Sequence, residues 1–119
     1  MDKTTLKTVI ITGANSGLGF ETARKIASDT NFRLILACRN REKAKDAAKQ
    51  IITETGNQSI ICMQLDTASL KSVRQFEKDY IQAGYGTVYA LLCNAGISGT
   101  RTGLTEDGFD VVFQTIEIN

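Results

Sequence analysis

Thr12-Gly13-Ala14-Asn15-Ser16-Gly17-Leu18-Gly19, residues 12–19, stands between two stretches of different periodicity. Before it, residues 8–12 (TVIIT) form a short apolar, β-branched run, the pattern of a parallel strand buried on both faces. After it, residues 17–28 place Gly19, Ala23, Ile26 and Ala27 on one helical face. Glycines at this spacing let a strand turn sharply into a helix and let a ligand approach the backbone closely. The helix start then directs unpaired N–H groups and partial positive charge outward, an arrangement suited to a diphosphate. A tight turn that binds nothing has the same spacing, so the surrounding chain has to decide between the two.

Outward from this loop the two periodicities keep alternating. Residues 32–38 (FRLILAC) read as a second strand. Asn40 is placed to cap the next helix, with Glu42 in its first turn. That helix puts Ala44, Ala47, Ala48 and Ile51 on one face, and Gly56 lies just past its end. Residues 59–65 (SIICMQL) read as a third strand. Residues 69–83 form a helix with Leu70, Val73, Phe76, Tyr80 and Ile81 on a common stripe, and Gly84 follows. Residues 88–93 (VYALLC) read as a fourth strand, and a last helix is expected from Thr105 to about Ile116. The order βαβαβαβα implies right-handed crossovers and a parallel sheet covered on both faces. No linker or low-complexity tract divides the chain, so a single domain is expected over residues 1–119.

Composition narrows the function. The chain is 42% hydrophobic and 23% charged, with a net charge of +1. No strong field points to nucleic acid or to an anionic membrane. There are no histidines, which excludes Ser/His/Asp and Cys/His triads and His-ligated metals. Cys38, Cys62 and Cys93 sit in strand-like runs and form no C-x-x-C motif, so buried free thiols in a reducing compartment are expected. The polar start of the chain does not resemble a signal peptide, and no apolar run is long enough to span a bilayer. A cytoplasmic location is the expectation, or a soluble organelle interior after removal of a transit peptide.

The loop has the form T-G-x-x-x-G-x-G, and here the chain resembles the short-chain dehydrogenase/reductase family. Further matches follow in order. Leu65-Asp66-Thr67 stands where that family has an Asp after the third strand, and Cys93-Asn94-Ala95-Gly96 resembles its N-A-G after the fourth. Thr105-Glu106-Asp107-Gly108-Phe109 resembles the T-x-D-G-F opening of the following helix. Leu36-Ala37-Cys38-Arg39-Asn40 is similar to the retinol-dehydrogenase-like and protochlorophyllide-reductase-like branch. The resemblance covers residues 8 to about 115. It implies a Rossmann-type doubly wound α/β fold, of which this chain carries the first four βα units, truncated before the catalytic second half. It also implies cofactor contacts from Gly13, Asn15, Ser16, Gly17, Leu18, Gly19, Arg39, Asn40, Leu65, Asp66, Asn94, Ala95 and Gly96.

The residue closing the second strand separates the two nicotinamide cofactors. An acidic side chain there would accept from a ribose 2′-OH and repel a 2′-phosphate. This chain has Cys38 followed by Arg39, whose guanidinium suits a phosphate and can stack on adenine. NADP(H) is therefore the expected cofactor, against the plainer reading of Arg39 as a solvated residue at a helix start. Asp66 has two readings: by resemblance it receives the adenine amino group, and otherwise it caps the helix beginning near Ser69. Asn94 either lies against the ribose, as the resemblance implies, or satisfies backbone groups between strands. Both roles of Asn94 are compatible.

The resemblance implies hydride transfer to or from a carbonyl, an alcohol or an activated double bond. In the family a Tyr and a Lys four residues apart assist this step, with a Ser on the fifth strand. The three tyrosines here, Tyr80, Tyr85 and Tyr89, are followed four positions later by Gly84, Tyr89 and Cys93. No catalytic residue is therefore assigned, and the chain alone is expected to bind cofactor without turnover. A non-catalytic dinucleotide-binding fragment or sensor is the alternative. A methyltransferase is disfavoured because its donor usually calls for an acidic residue where Cys38-Arg39 stands. Asn119 lies three residues beyond the place of the family's catalytic Asn. It stands either about one helical turn displaced from that role or outside it at the chain end. The branch suggests a small, bulky and apolar substrate, and full-length members associate into homo-oligomers through later helices.

Overall fold

The computed structural model describes residues 6–15 and 17–93. In chain order these form β1 (Lys7–Thr12), α1 (Gly17–Ala27), β2 (Phe32–Cys38), α2 (Arg41–Thr55), β3 (Ile60–Gln64), α3 (Leu70–Ala83) and β4 (Val88–Cys93). The helix expected from Thr105 lies outside the described residues, as do Ser16, Asn94, Ala95, Gly96 and Asn119.

The four strands make one parallel sheet in the order β3-β2-β1-β4. This is a Rossmann-like α/β arrangement, as the alternating periodicities imply. The central strands β1 and β2 lack polar alternation because both of their faces are covered, while β3 and β4 at the edges are half-buried. On one face Val9, Ile11, Leu34, Leu36 and Cys38 pack against Ala23 and Ala27 of α1 and Ala44, Ala47, Ala48 and Ile51 of α2. On the other, Ile10, Ile35, Ala37 and Leu91 pack against Val73, Phe76 and Tyr80 of α3. The helices are stopped and started by the residues that the sequence suggests. Asn40 and Ser69 accept from the Lys43 and Ser72 amides as N-caps, and Gly56 and Gly84 follow α2 and α3 as left-handed C-caps.

One expectation needs correction. Leu70 and Ile81 do not join the buried stripe of α3, and they are 62% and 57% exposed. At about 100° per residue they are rotated by roughly 60–80° from Val73, away from Phe76 and Tyr80. A 3.6-residue spacing groups all five side chains, but the sheet reaches only the narrower arc.

Two buried polar residues tie the elements together. Asn57 is 2% exposed. Its Nδ2 donates to the Ala27 carbonyl at 3.1 Å and the Phe32 carbonyl at 3.0 Å, and its Oδ1 accepts from the Ser59 amide at 2.7 Å. It thus joins the end of α1, the start of β2 and the approach to β3. Arg33, inside β2, is 3% exposed. Its Nη1 donates to Thr8 Oγ1 at 2.9 Å and to the Tyr85 carbonyl at 3.4 Å, and its guanidinium lies 4.8 Å from the Tyr85 ring centroid. Tyr80 stands beside Tyr85 and donates its hydroxyl to the Gly86 carbonyl. This cluster closes the end of the sheet where β1 and β2 begin.

Asn57→Ala strips three hydrogen bonds from buried groups and fills none of the space. Urea unfolding is expected to show a loss of about 2 kcal/mol, the scale of leaving buried polar groups unpaired. A loss near zero would mean that the three elements are held together by packing alone.

Candidate functional site

The order β3-β2-β1-β4 reverses direction between β1 and β4. In open parallel sheets, a crevice forms at such a switch point, beyond the carboxyl ends of the strands. Here those ends are Thr12, Cys38, Gln64 and Cys93. The topology therefore brings Gly13, Asn15, Gly17, Leu18, Gly19, Arg39, Asn40, Leu65 and Asp66 to one end of the sheet.

The glycine loop is shaped by its backbone. Gly13 has φ 64° and donates its amide to the Ala37 carbonyl at 3.1 Å, so the chain leaves the ladder immediately after β1. Gly17 has φ 60°, and a Cβ built there would meet nothing within 4 Å. Open space and left-handed backbone together make this a place where glycine is required by conformation and a ligand is given room. Leu18 projects outward, 75% exposed, while Gly19 is buried on the sheet side of α1. The first turn of α1 holds no acidic residue that would repel an anion.

Beneath the loop lies Cys38, 2% exposed. Burial pushes its thiol pKa up, while hydrogen bonding from the Ala14 and Asn15 amides pulls it partly back. The sulfur thus supports the loop from below. The next residue, Arg39, is exposed at the rim, and its carbonyl accepts from Gln64 Nε2. The side chain of Asn40 is committed to capping α2. Leu65 is buried and its amide donates to the Cys38 carbonyl, which draws the end of β3 to the end of β2.

Asp66 does not cap α3, because Ser69 does. Its Oδ1 accepts from the Ala68 amide at 3.0 Å, and its own amide donates to Ser72 Oγ at 2.8 Å. Among the described residues no bond engages Oδ2, so an acceptor remains at the strand end. Sequence reasoning did not find the cavity of about 300 Å³ beside the loop, lined by Asn15, Phe20, Lys43, Asp46, Ala47 and Gln50. Its walls come from the glycine loop and two helices, and no local motif announces it.

The family model for short chain dehydrogenases matches residues 7–119. The WW domain-containing oxidoreductase of Danio rerio is 45% identical over 108 residues, covering 91% of this chain and 26% of that protein. Human retinol dehydrogenase 13 is 45% identical over 107 residues, covering 90% of this chain and 32% of that protein. The chain therefore spans about a quarter to a third of the length of the curated relatives it matches. Among solved structures, a variant of actinorhodin polyketide ketoreductase with NADPH superposes with a TM-score of 0.76. It shares 22% identity, and the match covers 98% of this chain and 48% of that one. At that identity the likeness is one of fold.

Burial raises the pKa of all three thiols, Cys38, Cys62 and Cys93, and of the Tyr80 hydroxyl. The unfolded chain therefore gives up these protons at lower pH than the folded one. The stabilisation is fully present below the unfolded cysteine pKa of about 8.5 and is lost as pH rises through the folded values. Stability measured by urea unfolding is expected to fall from about pH 8.5 upward, and replacing the three cysteines by alanine should flatten that slope. A slope unchanged by the replacement would assign the alkaline loss to other groups.

Proposed function

The chain belongs to the short-chain dehydrogenase family, and from that premise we propose that it binds NADP(H) in the crevice above β1 and β2. It would supply the cofactor-binding part of an oxidoreductase that moves hydride to or from a carbonyl, an alcohol or an activated double bond. One observation carries the cofactor choice: β2 closes with a buried thiol and an exposed guanidinium, with no carboxylate at either position.

The residues fit the cofactor in kind. The left-handed glycines at 13 and 17 and the open space at Gly17 suit a diphosphate lying over the start of α1. Arg39, exposed at the rim, would hold the 2′-phosphate with its planar fork. Asp66 would accept from the adenine amino group through the oxygen that Ala68 does not engage. By resemblance Asn94, Ala95 and Gly96 would lie against the ribose, and Asn15, Ser16 and Leu18 would complete the loop's contacts. When bound, NADPH supplies the hydride, and these residues supply position and charge. The retinol dehydrogenases among the relatives support a small, apolar alcohol or aldehyde as substrate. Among the described residues no helix is long and apolar enough to cross a membrane.

A second reading is a nucleotide-binding module without turnover. The glycine loop and the rim at Arg39 suffice for it. The two readings separate in an assay of NADPH oxidation with a long-chain aldehyde.

Titration of NADPH and NADH, followed by nucleotide fluorescence, tests the cofactor assignment. NADPH is expected to bind more tightly. Arg39→Ala should weaken NADPH by roughly tenfold to a hundredfold, the value of a charge-assisted contact, and leave NADH nearly unchanged. Equal binding of both nucleotides, indifferent to Arg39, would overturn the assignment.

A further inference from the structure

Leu65 and Asp66 leave the end of β3 under two different constraints. The Leu65 amide donates to the Cys38 carbonyl at 3.0 Å, which holds the strand end to β2. The next amide, that of Asp66, donates instead to Ser72 Oγ at 2.8 Å. Ser72 lies in the first turn of α3, and both residues are half-buried. One amide thus ties the strand end to the sheet and the following one ties it to a helix.

The Ser72 bond is not what starts the helix. Ser69 is the N-cap, and its Oγ accepts from the Ser72 amide at 3.1 Å. In a capping box, the side chain at the third helical position reaches back to the amide of the cap itself. Here the Ser69 amide donates to the Asp66 carbonyl at 3.0 Å, and the Ser72 hydroxyl reaches past it to the Asp66 amide. The Ala68 amide donates to Asp66 Oδ1 at 3.0 Å, so it and Ser69 both hold Asp66 from ahead of the helix. Among the described bonds of Asp66, the one to Ser72 joins it to α3.

We propose that Ser72 is a positioning residue for base recognition, its hydroxyl holding the Asp66 main chain so that the carboxylate meets the adenine amino group; this rests on the adenine role of Asp66 given above. Holding the amide fixes the peptide plane ahead of the Asp66 Cα. The Ala68 bond then sets the rotation of the side chain and leaves the second carboxylate oxygen with one direction. An adenine 6-amino group donates to such an oxygen, whereas a hypoxanthine 6-oxo group presents lone pairs to it. A carboxylate held in one direction separates the two bases, because the wrong base leaves it without its donor. A carboxylate that swings freely is solvated beside either base and separates them poorly.

The test measures dissociation constants of NADPH and of its hypoxanthine analogue for the full chain and for Asp66→Ala, Ser72→Ala, Ser72→Thr and Ser69→Ala, with thermal melting of each. The parent is expected to prefer NADPH by about tenfold, and Asp66→Ala to abolish that preference. Ser72→Ala should reduce it to about twofold or less, although alanine itself suits a helix. Ser72→Thr, which keeps the hydroxyl, should retain it. Ser69→Ala removes the cap and lowers the melting temperature, yet it keeps the hydroxyl at 72 and should also retain the preference. If the parent and Ser72→Ala prefer NADPH alike while Asp66→Ala does not, this inference fails and the adenine role of Asp66 stands. Loss of the preference in Ser69→Ala or in Ser72→Thr would mean that any loosening of α3 suffices, and either result overturns it. A parent indifferent to the base removes the adenine role of Asp66 and this inference with it.

Discussion

The amide of Gly13 donating to the carbonyl of Ala37 is the contact on which the site depends. It is the last rung between β1 and β2, and the left-handed turn at Gly13 begins on it. Had the ladder continued, residues 13–15 would extend β1 and fill the crevice with side chains. Had it ended earlier, the loop would lose its anchor to β2. With the rung in place, Ala14 turns inward to full burial, and the Ala14 and Asn15 amides meet the sulfur of Cys38. The shape of the loop is therefore set by backbone bonds and one small buried side chain.

The same junction divides the work of two adjacent residues. Cys38 is small enough to sit under the loop, and burial pushes its thiol pKa further up from its ordinary value. A carboxylate at this place would carry a charge against the amides of the loop and into the crevice. Arg39 then extends past the strand end into solvent, free of the packing that fixes Cys38. Neutrality below and positive charge at the rim give the end of β2 its electrostatic character.

Most of the architecture was legible because it depends on local signals. Largely apolar runs at residues 8–12 and 32–38 mark strands covered on both faces, and Asn40, Gly56, Ser69 and Gly84 mark helix ends. What escaped depends on distant partners. The burial of Arg33 cannot be read from FRLILAC, because it requires Thr8 on β1 and Tyr85 beyond α3. Asn57 looks like an ordinary loop residue until Ala27 and Phe32 are brought to it. Leu70 and Ile81 satisfy the helical period yet stay exposed, since the period cannot say how wide an arc the neighbouring sheet covers. The candidate site follows the same division. The glycine loop and Arg39 carry local signals, whereas the cavity at Lys43 exists only once α1 and α2 are packed together.

The two ends of the sheet are built on opposite principles. At the end where β1 and β2 begin, large polar side chains are buried and paired: Arg33 with Thr8 and Tyr85, Tyr80 with Gly86. Such a network is costly to disturb, since a charge left without its partners in the interior is strongly unfavourable. At the opposite end the groups are glycines, a buried alanine and a thiol, and the charged side chains stand at the surface. The buried polar pairs lie at the end away from the crevice, which is left with small residues and available backbone. Changes at the rim can therefore alter what is bound with little effect on folding, while changes at the far end act on the fold first.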